Sequence, residues 1–302
     1  MSSCYTYDTI NFNTGLLDSF IDCVYVLLLE GSDRTKSVYN NLHKHKLCKK
    51  NIVIINKGYK KCNKDLCKQT SYYDLMDANK EAFTHANKEG YKNILVLEDD
   101  FHFSNEIHNE DIISSISTFI NTHEFDVYGL GNIVFLYDPI TLFSVHRKVY
   151  MMGCTQSNIY SETGRNTILR EYKKNPCLKN NFPKITSTNE LHDLWLNGIL
   201  NKKYVYYRPL CFQVFPHTEN ISLWGNNFIY SGIKLLKLDT QYEPGWTILY
   251  VLFYIFNLMM YLFLLIITLF HYDPTLFPIV DLDSFLPILC IDLFEALAYL
   301  YL

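Results

Sequence analysis

The sequence predicts an α/β domain with a mostly parallel central sheet, followed by a C-terminal transmembrane helix. Three observations lead to this prediction. Apolar segments with the length of buried strands alternate with helical segments in the first part of the chain, which is typical of βαβ units. One of these strands, Ile94 to Leu97, ends in the consecutive acids Glu98, Asp99 and Asp100. Farther along, the stretch from Trp246 to Phe270 contains no charged residue.

The signals for the individual elements follow one another in a regular order. The predicted strands are 24–29, 51–56 and 93–97, with further strand material at 124–135 and 149–160, and the predicted helices are 35–45, 72–89 and 161–174. We predict four regions: an N-terminal extension at 1–21, the α/β domain at 22–237, the transmembrane helix at 246–271 and an apolar acidic tail at 272–302. The tail suits a re-entrant helix, an interfacial helix or a second span equally well.

Charge is divided unevenly along the chain. All 27 basic residues lie at or before Lys237, whereas 7 of the 31 acids follow it. The part up to Lys237 therefore carries 24 acids against 27 bases, a formal charge of +3. This charge suits an anionic ligand such as a nucleotide and is too small to predict nucleic-acid binding. The 9 cysteines form no regular framework, which favours reduced thiols in a reducing compartment.

The uncharged run from Trp246 to Phe270 is longer than the ~20 apolar residues that cross a bilayer as a helix. A buried core helix is the alternative. Lys234 and Lys237 precede the run and no base follows it, so the positive-inside rule predicts a membrane protein with its large domain on the cytoplasmic side. Asn257 is the one strongly polar residue in the run, and we expect it to hydrogen-bond across a helix pair.

The three acids after the strand at 93–97 predict a divalent metal site. Like charges a few ångströms apart repel, and a bound cation removes that cost. Mg²⁺ and Mn²⁺ prefer carboxylate oxygens and share them with substrate phosphates. Strand alternation places Glu98 and Asp100 on one side, with Asp99 close behind. The alternative is a strand-to-turn transition with solvated acids.

A second cluster of possible metal ligands lies between the first two predicted strands and beyond. Its members are His43, His45, Cys48, Cys62 and Cys67. The cysteines form no Cys-x₂-Cys pair, and the strand at 51–56 separates the two groups. Free thiols are therefore favoured over structural zinc.

Six segments between Val24 and Gln213 follow one another in an order that is informative. They are Val24 to Arg34, Leu97-Glu-Asp-Asp-Phe101, Phe125-Asp-Val-Tyr-Gly-Leu-Gly131, Gly153 to Leu169, His192-Asp-Leu-Trp-Leu196 and Tyr206-Tyr-Arg-Pro-Leu-Cys-Phe-Gln213. In this order and spacing the chain resembles the glycosyltransferase family 25 domain, over roughly residues 22 to 225. The family's Gly-Cys and Ser-His pattern before the acidic strand is missing, and the nearest stretch is Cys67 to Asp74.

The resemblance implies a GT-A type fold that transfers a hexose, galactose or glucose, from a UDP-sugar to a glycan, glycolipid or protein acceptor, with inversion. It implies Mn²⁺ or Mg²⁺ as cofactor, because a cation stabilises the leaving diphosphate. The implied roles are metal binding by Glu98, Asp100 and His217, donor binding by Leu28, Glu30, Arg34, Asp99 and Gln213, and proton abstraction by Asp193.

Each of these roles has a simpler alternative. His217 suits a solvated loop histidine, Asp193 an acid favoured by a helix N-terminus, and Arg34 a solvated turn residue. Two other functions also remain open at this point. One is a non-catalytic membrane-anchored binding module, and the other is a nucleotidyltransferase, which often carries a glycine-rich phosphate loop that Gly31 and Gly58 do not form.

Overall fold

The computed structural model describes residues 4–177, 192–214, 232, 234–238 and 242–270, with side chains left out at 192–194, 242 and 266–270. The strands in this part are β1 (Tyr5–Asn11), β2 (Cys23–Leu29), β3 (Lys50–Asn56), β4 (Asn93–Glu98), β5 (Phe101–Phe103), β6 (Val127–Gly129), β7 (Ile133–Tyr137), β8 (His146–Gly153), β9 (Ser157–Ser161), β10 (Lys203–Tyr206) and β11 (Cys211–Gln213). The α-helices are α1 (Thr35–His45), α2 (Ser71–Lys88), α3 (Glu110–Thr122), α4 (Glu162–Lys174), α5 (His192–Ile199) and α6 (Tyr242–Phe270).

The α/β class is confirmed, but the sheet is mixed rather than mostly parallel. Nine strands lie in the order β1-β3-β2-β4-β9-β6-β10-β8-β7, and a separate pair joins β11 to β5. Three neighbouring pairs of the large sheet are parallel, β3 with β2, β2 with β4 and β6 with β10. The other five pairs are antiparallel. A strand that is buried on both faces is an apolar run whether its neighbours are parallel or antiparallel. The sequence therefore could not distinguish a parallel sheet from a mixed one.

Most predicted elements lie within two residues of the observed ones. The stretch 149–160, predicted as further strand material, is divided between β8 and β9, with Cys154 at a positive φ of 60° between them. Ser161 begins α4 as an N-cap, and its hydroxyl accepts a hydrogen bond from the backbone N–H of Gly164 at 3.0 Å.

Helices cover both faces of the sheet. In β2 the residues alternate between the two cores: Tyr25 packs with α2 and α4, and Val26 packs with α1 and α3. This alternation follows from the period of two along a strand. Because helices cover both faces, the sheet is accessible at the ends of its strands.

The segment predicted as an N-terminal extension contributes an edge strand. All seven residues of β1 pair antiparallel with β3, from Tyr5 opposite Asn56 to Asn11 opposite Lys50. The sheet therefore begins within the region 1–21.

Four cysteines form disulfides, which corrects the prediction of reduced thiols. Cys4 bonds Cys62, and Cys67 bonds Cys177, with Cα–Cα distances of 5.7 and 5.2 Å. The zinc alternative is excluded for Cys62 and Cys67, and within the described ranges no three His, Cys, Asp or Glu side chains converge as a metal group. Disulfides persist mainly in oxidising compartments, whereas cytosolic thiols are kept reduced.

Loss of the longer disulfide is expected to destabilise the domain. Cys67 and Cys177 are 110 residues apart, so their bond removes much of the freedom of the unfolded chain. The double variant Cys67→Ser/Cys177→Ser should lose about 2–4 kcal/mol of unfolding free energy. Thermal unfolding of the full chain in detergent measures this loss. Mass spectrometry after alkylation without reductant is the control, and finding Cys4, Cys62, Cys67 and Cys177 all alkylated would refute the disulfides.

Helix α6 lies against the domain along one face. Trp246, Tyr250 and Asn257 are buried there, and the helix packs on β7. The Asn257 side chain accepts a hydrogen bond from the backbone N–H of Tyr137 at 3.0 Å and donates one to the carbonyl of Phe135 at 3.2 Å. Asn257 thus satisfies the free edge of a strand, which corrects the expectation of a bond across a helix pair.

The opposite face of α6 is bare and apolar. Met259, Leu262, Phe263 and Leu265 are 51–62% exposed. By length and composition, Glu243–Leu265 is long and apolar enough to cross a membrane. The described helix therefore has one face packed on the protein and one apolar face that is exposed.

Candidate functional site

The candidate site lies where β2 and β4 end side by side. Leu27 pairs with Glu98 in a parallel ladder, so the loop after β2 and the turn after β4 leave the sheet at the same level. Ligand crevices in α/β sheets lie outside the carboxyl ends of such strands. Ser32 and Arg34 come from the first loop, and Asp99 and Asp100 from the second turn.

Arg34 joins the two loops. Its guanidinium nitrogen NH1 lies 2.6 Å from Asp99 Oδ1 and 3.5 Å from Asp100 Oδ2. The Ser32 hydroxyl donates a further hydrogen bond to Asp99 Oδ2 at 3.2 Å. Burial disfavours the charge on Arg34, but the Asp99 and Asp100 carboxylates more than offset burial and raise the pKa of Arg34. One guanidinium therefore stands between two carboxylates.

Asp100 is the most buried acid of the group, with 6% of its surface exposed. Its Oδ2 accepts a hydrogen bond from Gln213 Nε2 at 2.9 Å. Its Oδ1 is buried and has no hydrogen-bond partner among the described residues. The pKa of Asp100 is raised to about 6, chiefly by burial and further by Asp99, although Arg34 and the hydrogen bond from Gln213 lower it. A buried carboxylate oxygen without a donor is costly and indicates a group that the site still has to receive.

Gln213 reaches Asp100 because β11 pairs antiparallel with β5, opposite Phe101. The backbone N–H of Val214 also bonds the carbonyl of Asp100 at 2.8 Å. The carbonyl of Gln213 accepts a hydrogen bond from the indole of Trp246 at 2.8 Å, so the first turns of α6 hold the strand that carries Gln213. The sequence analysis placed Trp246 at the start of the predicted transmembrane helix and missed this contact.

The structure places Glu98 on the other flank of β4. Its carboxylate accepts a hydrogen bond from the Thr155 hydroxyl at 3.2 Å, just before β9, whereas Asp99 and Asp100 bond toward β2 and β11. The turn at 99–100 breaks the strand alternation on which the pairing of Glu98 with Asp100 was based. β4 ends at Glu98, so strand alternation does not predict the directions of the Asp99 and Asp100 side chains.

The remaining predicted residues lie apart from this cluster or outside the described side chains. Leu28 packs in the core below α1 and α3, so its side chain faces no ligand space, and Glu30 lies 3.7 Å from Lys61 on the surface. Asp193 falls in α5, but its side chain lies outside the described residues, as does all of His217.

Buried amides that the sequence analysis did not single out line the neighbouring strand ends. Gln156 Nε2 donates to the carbonyl of Gly131 at 2.7 Å, and Gln156 Oε1 and Asn132 Oδ1 are buried without a partner in the described part of the chain. A Cβ at Gly131 would lie 1.9 Å from the carbonyl of Cys211, and one at Gly129 would lie 1.8 Å from Asn132 Oδ1. Gly129 and Gly131, both in the segment Phe125 to Gly131, therefore allow this close packing.

The cluster fits a divalent cation in part. Mg²⁺ and Mn²⁺ sites often use one or two carboxylates and take their other ligands from phosphate and water. Asp99 and Asp100 can supply this set, and the unpartnered Oδ1 of Asp100 is a suitable ligand atom. Arg34 already neutralises part of the charge of Asp99 and Asp100. A cation would therefore need additional ligands, such as the phosphate oxygens of a bound substrate.

Comparisons with known proteins add little to this geometry. No protein-family model matches the chain, and no curated protein does. Among solved structures, A197 from STIV is similar at a TM-score of 0.35 and 13% identity, over 64% of this chain and 86% of that one. A glycosyltransferase involved in the glycosylation of the major capsid of PBCV-1 is similar at a TM-score of 0.37 and 12% identity, over 65% and 94%. Likenesses at these values do not assign a function.

Proposed function

We propose that this protein is a glycosyltransferase that moves a hexose, galactose or glucose, from a UDP-sugar to a glycan, glycolipid or protein acceptor with inversion. The observation that carries the proposal is the buried, half-partnered carboxylate of Asp100 next to Arg34 at the carboxyl ends of β2 and β4. A diphosphate fits such a pair of charges, because its oxygens accept from a guanidinium and also complete the coordination of a carboxylate-bound cation.

Each residue then has a definite task. Arg34 binds the diphosphate, and Gln213 orients Asp100 from β11 and faces the sugar. Gln156 and Asn132 offer buried acceptor oxygens to sugar hydroxyls. Mn²⁺ or Mg²⁺ held by Asp99 and Asp100 would supply Lewis-acid stabilisation of the leaving diphosphate. His217 is a further candidate ligand from the sequence, whereas Glu98 bonds Thr155 on the other flank of β4.

The reaction needs one proton acceptor. The acceptor hydroxyl forms a bond to the anomeric carbon, the bond from that carbon to the UDP oxygen breaks with its electron pair, and the hydroxyl proton must leave. We assign this proton to Asp193 on α5. Support comes from the buried face of that helix, where Trp195 and Leu196 pack into the core and hold the helix in place.

Attachment to a membrane is part of the proposal. The apolar outer face of α6 supports it, and the two disulfides support a location of the domain in an oxidising compartment. Because Trp246 bonds Gln213, the anchoring helix and the candidate site form one continuous structure.

A panel of UDP-sugars with Mn²⁺ tests the activity, using the full chain in detergent because α6 is part of the fold. We expect turnover of one sugar, loss of turnover with a chelator, and a loss of at least about 100-fold in Asp193→Asn, the usual effect of removing a general base. Glu110→Gln, an exposed acid at the start of α3, is the matched control and should keep full activity. Turnover by Asp193→Asn at the wild-type rate would remove Asp193 from the mechanism.

One observation favours a second function, a non-catalytic binding module. Arg34 occupies the position between Asp99 and Asp100 at which an active metal site would carry its cation. The same panel separates the two functions. Binding of a UDP-sugar without turnover, in the presence of a range of acceptors, would favour the module, and an absence of any nucleotide-sugar binding would contradict both.

A further inference from the structure

A cleft away from the candidate site contains a buried arginine that has no acidic partner among the described residues. The cleft has a volume of about 520 Å³ and lies between the start of α3, the segment 143–145 and the end of β10. Arg147 lines it and is 9% exposed, and no carboxylate of the described residues lies within 4 Å of its guanidinium. Its Nε donates to the carbonyl of Ser144 at 3.2 Å. A buried cation without a counter-ion indicates a missing anion.

A second arginine and aromatic rings complete the cationic wall. Arg208 lines the same cleft, pairs with Glu106 at 3.0 Å, and has a buried Nε without a partner in the described structure. The guanidinium of Arg147 lies 4.4 Å from the ring centroid of Tyr254 and 6.0 Å from that of Tyr207. Asp111 is the acid on the lining, and it is exposed. The buried part of the cleft is therefore positive.

The rim of the cleft is apolar and projects from the protein. The turn between β7 and β8 exposes Ile140 by 89%, Phe143 by 78% and Val145 by 47%, and we refer to these three residues as the apolar tip. Phe143 and Val145 also line the cleft. The tip follows directly after Tyr137, whose carbonyl accepts a hydrogen bond from Tyr261 of α6. It therefore lies beside the stretch of α6 whose outer face is bare.

We propose that this cleft binds the phosphate headgroup of an anionic phospholipid, with the apolar tip and the outer face of α6 in the bilayer beside it. Arginine binds phosphate oxygens through two parallel hydrogen bonds, and aromatic and aliphatic side chains on a protruding turn enter the interface of a bilayer. The lipid is the source of the phosphate because Phe143 and Val145 of the apolar tip line the cleft, and the tip lies beside the bare face of α6. The proposal does not depend on the transferase activity.

Thermal unfolding of the full chain in a neutral detergent tests the proposal. The probes are dioctanoyl phosphatidic acid, dioctanoyl phosphatidylcholine and inorganic phosphate. We expect phosphatidic acid to raise the unfolding temperature in a saturable manner, because a ligand that binds the folded state stabilises it. Phosphatidylcholine and inorganic phosphate should have at most a small effect. Equal stabilisation by inorganic phosphate would overturn the assignment to a lipid.

Variants locate the effect in the cleft. Arg208→Gln and Arg147→Lys should each require at least about tenfold more phosphatidic acid for half the shift, since each weakens a charge-assisted hydrogen bond. Phe143→Asp should weaken the response to lipid as well. Arg170→Gln, an exposed arginine on α4, is the matched control and should respond as wild type. Arg208 is partly exposed, so Arg208→Gln is the variant to use if Arg147→Lys does not fold. An unchanged lipid response of Arg208→Gln would overturn the site.

Discussion

Replacement of Asp100 by Asn is expected to abolish sugar transfer and to stabilise the fold. Both results follow from the burial of this carboxylate, one oxygen of which has no donor in the described part of the chain. In the proposed mechanism, removal of its charge takes away a ligand for the cation that would stabilise the leaving group, so we expect a loss of at least about 100-fold in turnover. The same change removes the cost of a buried negative charge. Functional residues often destabilise a fold in this way.

The stabilisation should depend on pH in a definite direction. Burial raises the pKa of Asp100 from 3.8 to about 6, so the folded state holds a proton that the unfolded state has already released. Stability of the wild type therefore falls as pH rises from about 4 to about 6 and carries the full cost above that range. Asp100→Asn should be more stable than wild type by about 1–3 kcal/mol at pH 7 and no more stable at pH 3.

Thermal unfolding of both proteins with a chelator, from pH 3 to pH 8, measures this difference. Addition of Mn²⁺ should then raise the unfolding temperature of the wild type and leave that of Asp100→Asn unchanged. Glu110→Gln is again the control. Equal stability of the two proteins at every pH would contradict the burial argument, and an equal Mn²⁺ response would remove Asp100 from the metal site.

Replacement of Asn257 by Leu is expected to loosen α6 from the domain. The Asn257 amide is buried and bonds the N–H of Tyr137 and the carbonyl of Phe135, two groups on the edge of β7. Leucine has a similar size and leaves both backbone groups without partners. We expect a loss of about 2–4 kcal/mol, since each buried unsatisfied group costs about 1–3 kcal/mol.

Thermal unfolding and amide hydrogen exchange in detergent test this expectation. Exchange at the Tyr137 amide should become faster, because its acceptor is lost. Transfer should also fall, since α6 holds Gln213 through Trp246. Met259→Leu, on the exposed face of the same helix, is the matched control and should change none of these properties. Unchanged exchange at Tyr137 would show that Asn257 does not hold the strand edge.

The sequence determined the local elements of this protein. The helix over 35–45, the strand before the acids and the helix over 161–174 were all predicted from periodicity and composition. It also predicted the apolar helix at the C-terminal side, whereas the grouping of Arg34, Asp99 and Gln213 came from the family resemblance. These signals act over a few residues, so they can be read without knowing the partners.

The tertiary structure alone decided which strands are antiparallel, which cysteines pair and which acids meet. The strand β9 lies between β4 and β6, and Cys67 reaches Cys177 across 110 residues. Glu98 turns toward Thr155, whereas Asp100 turns toward Gln213 on a strand far along the chain. In the sequence Asn257 is a polar residue within an apolar helix, and only the structure shows that it bonds the free edge of β7. Each of these contacts joins distant segments, and their energies depend on burial that no local pattern encodes.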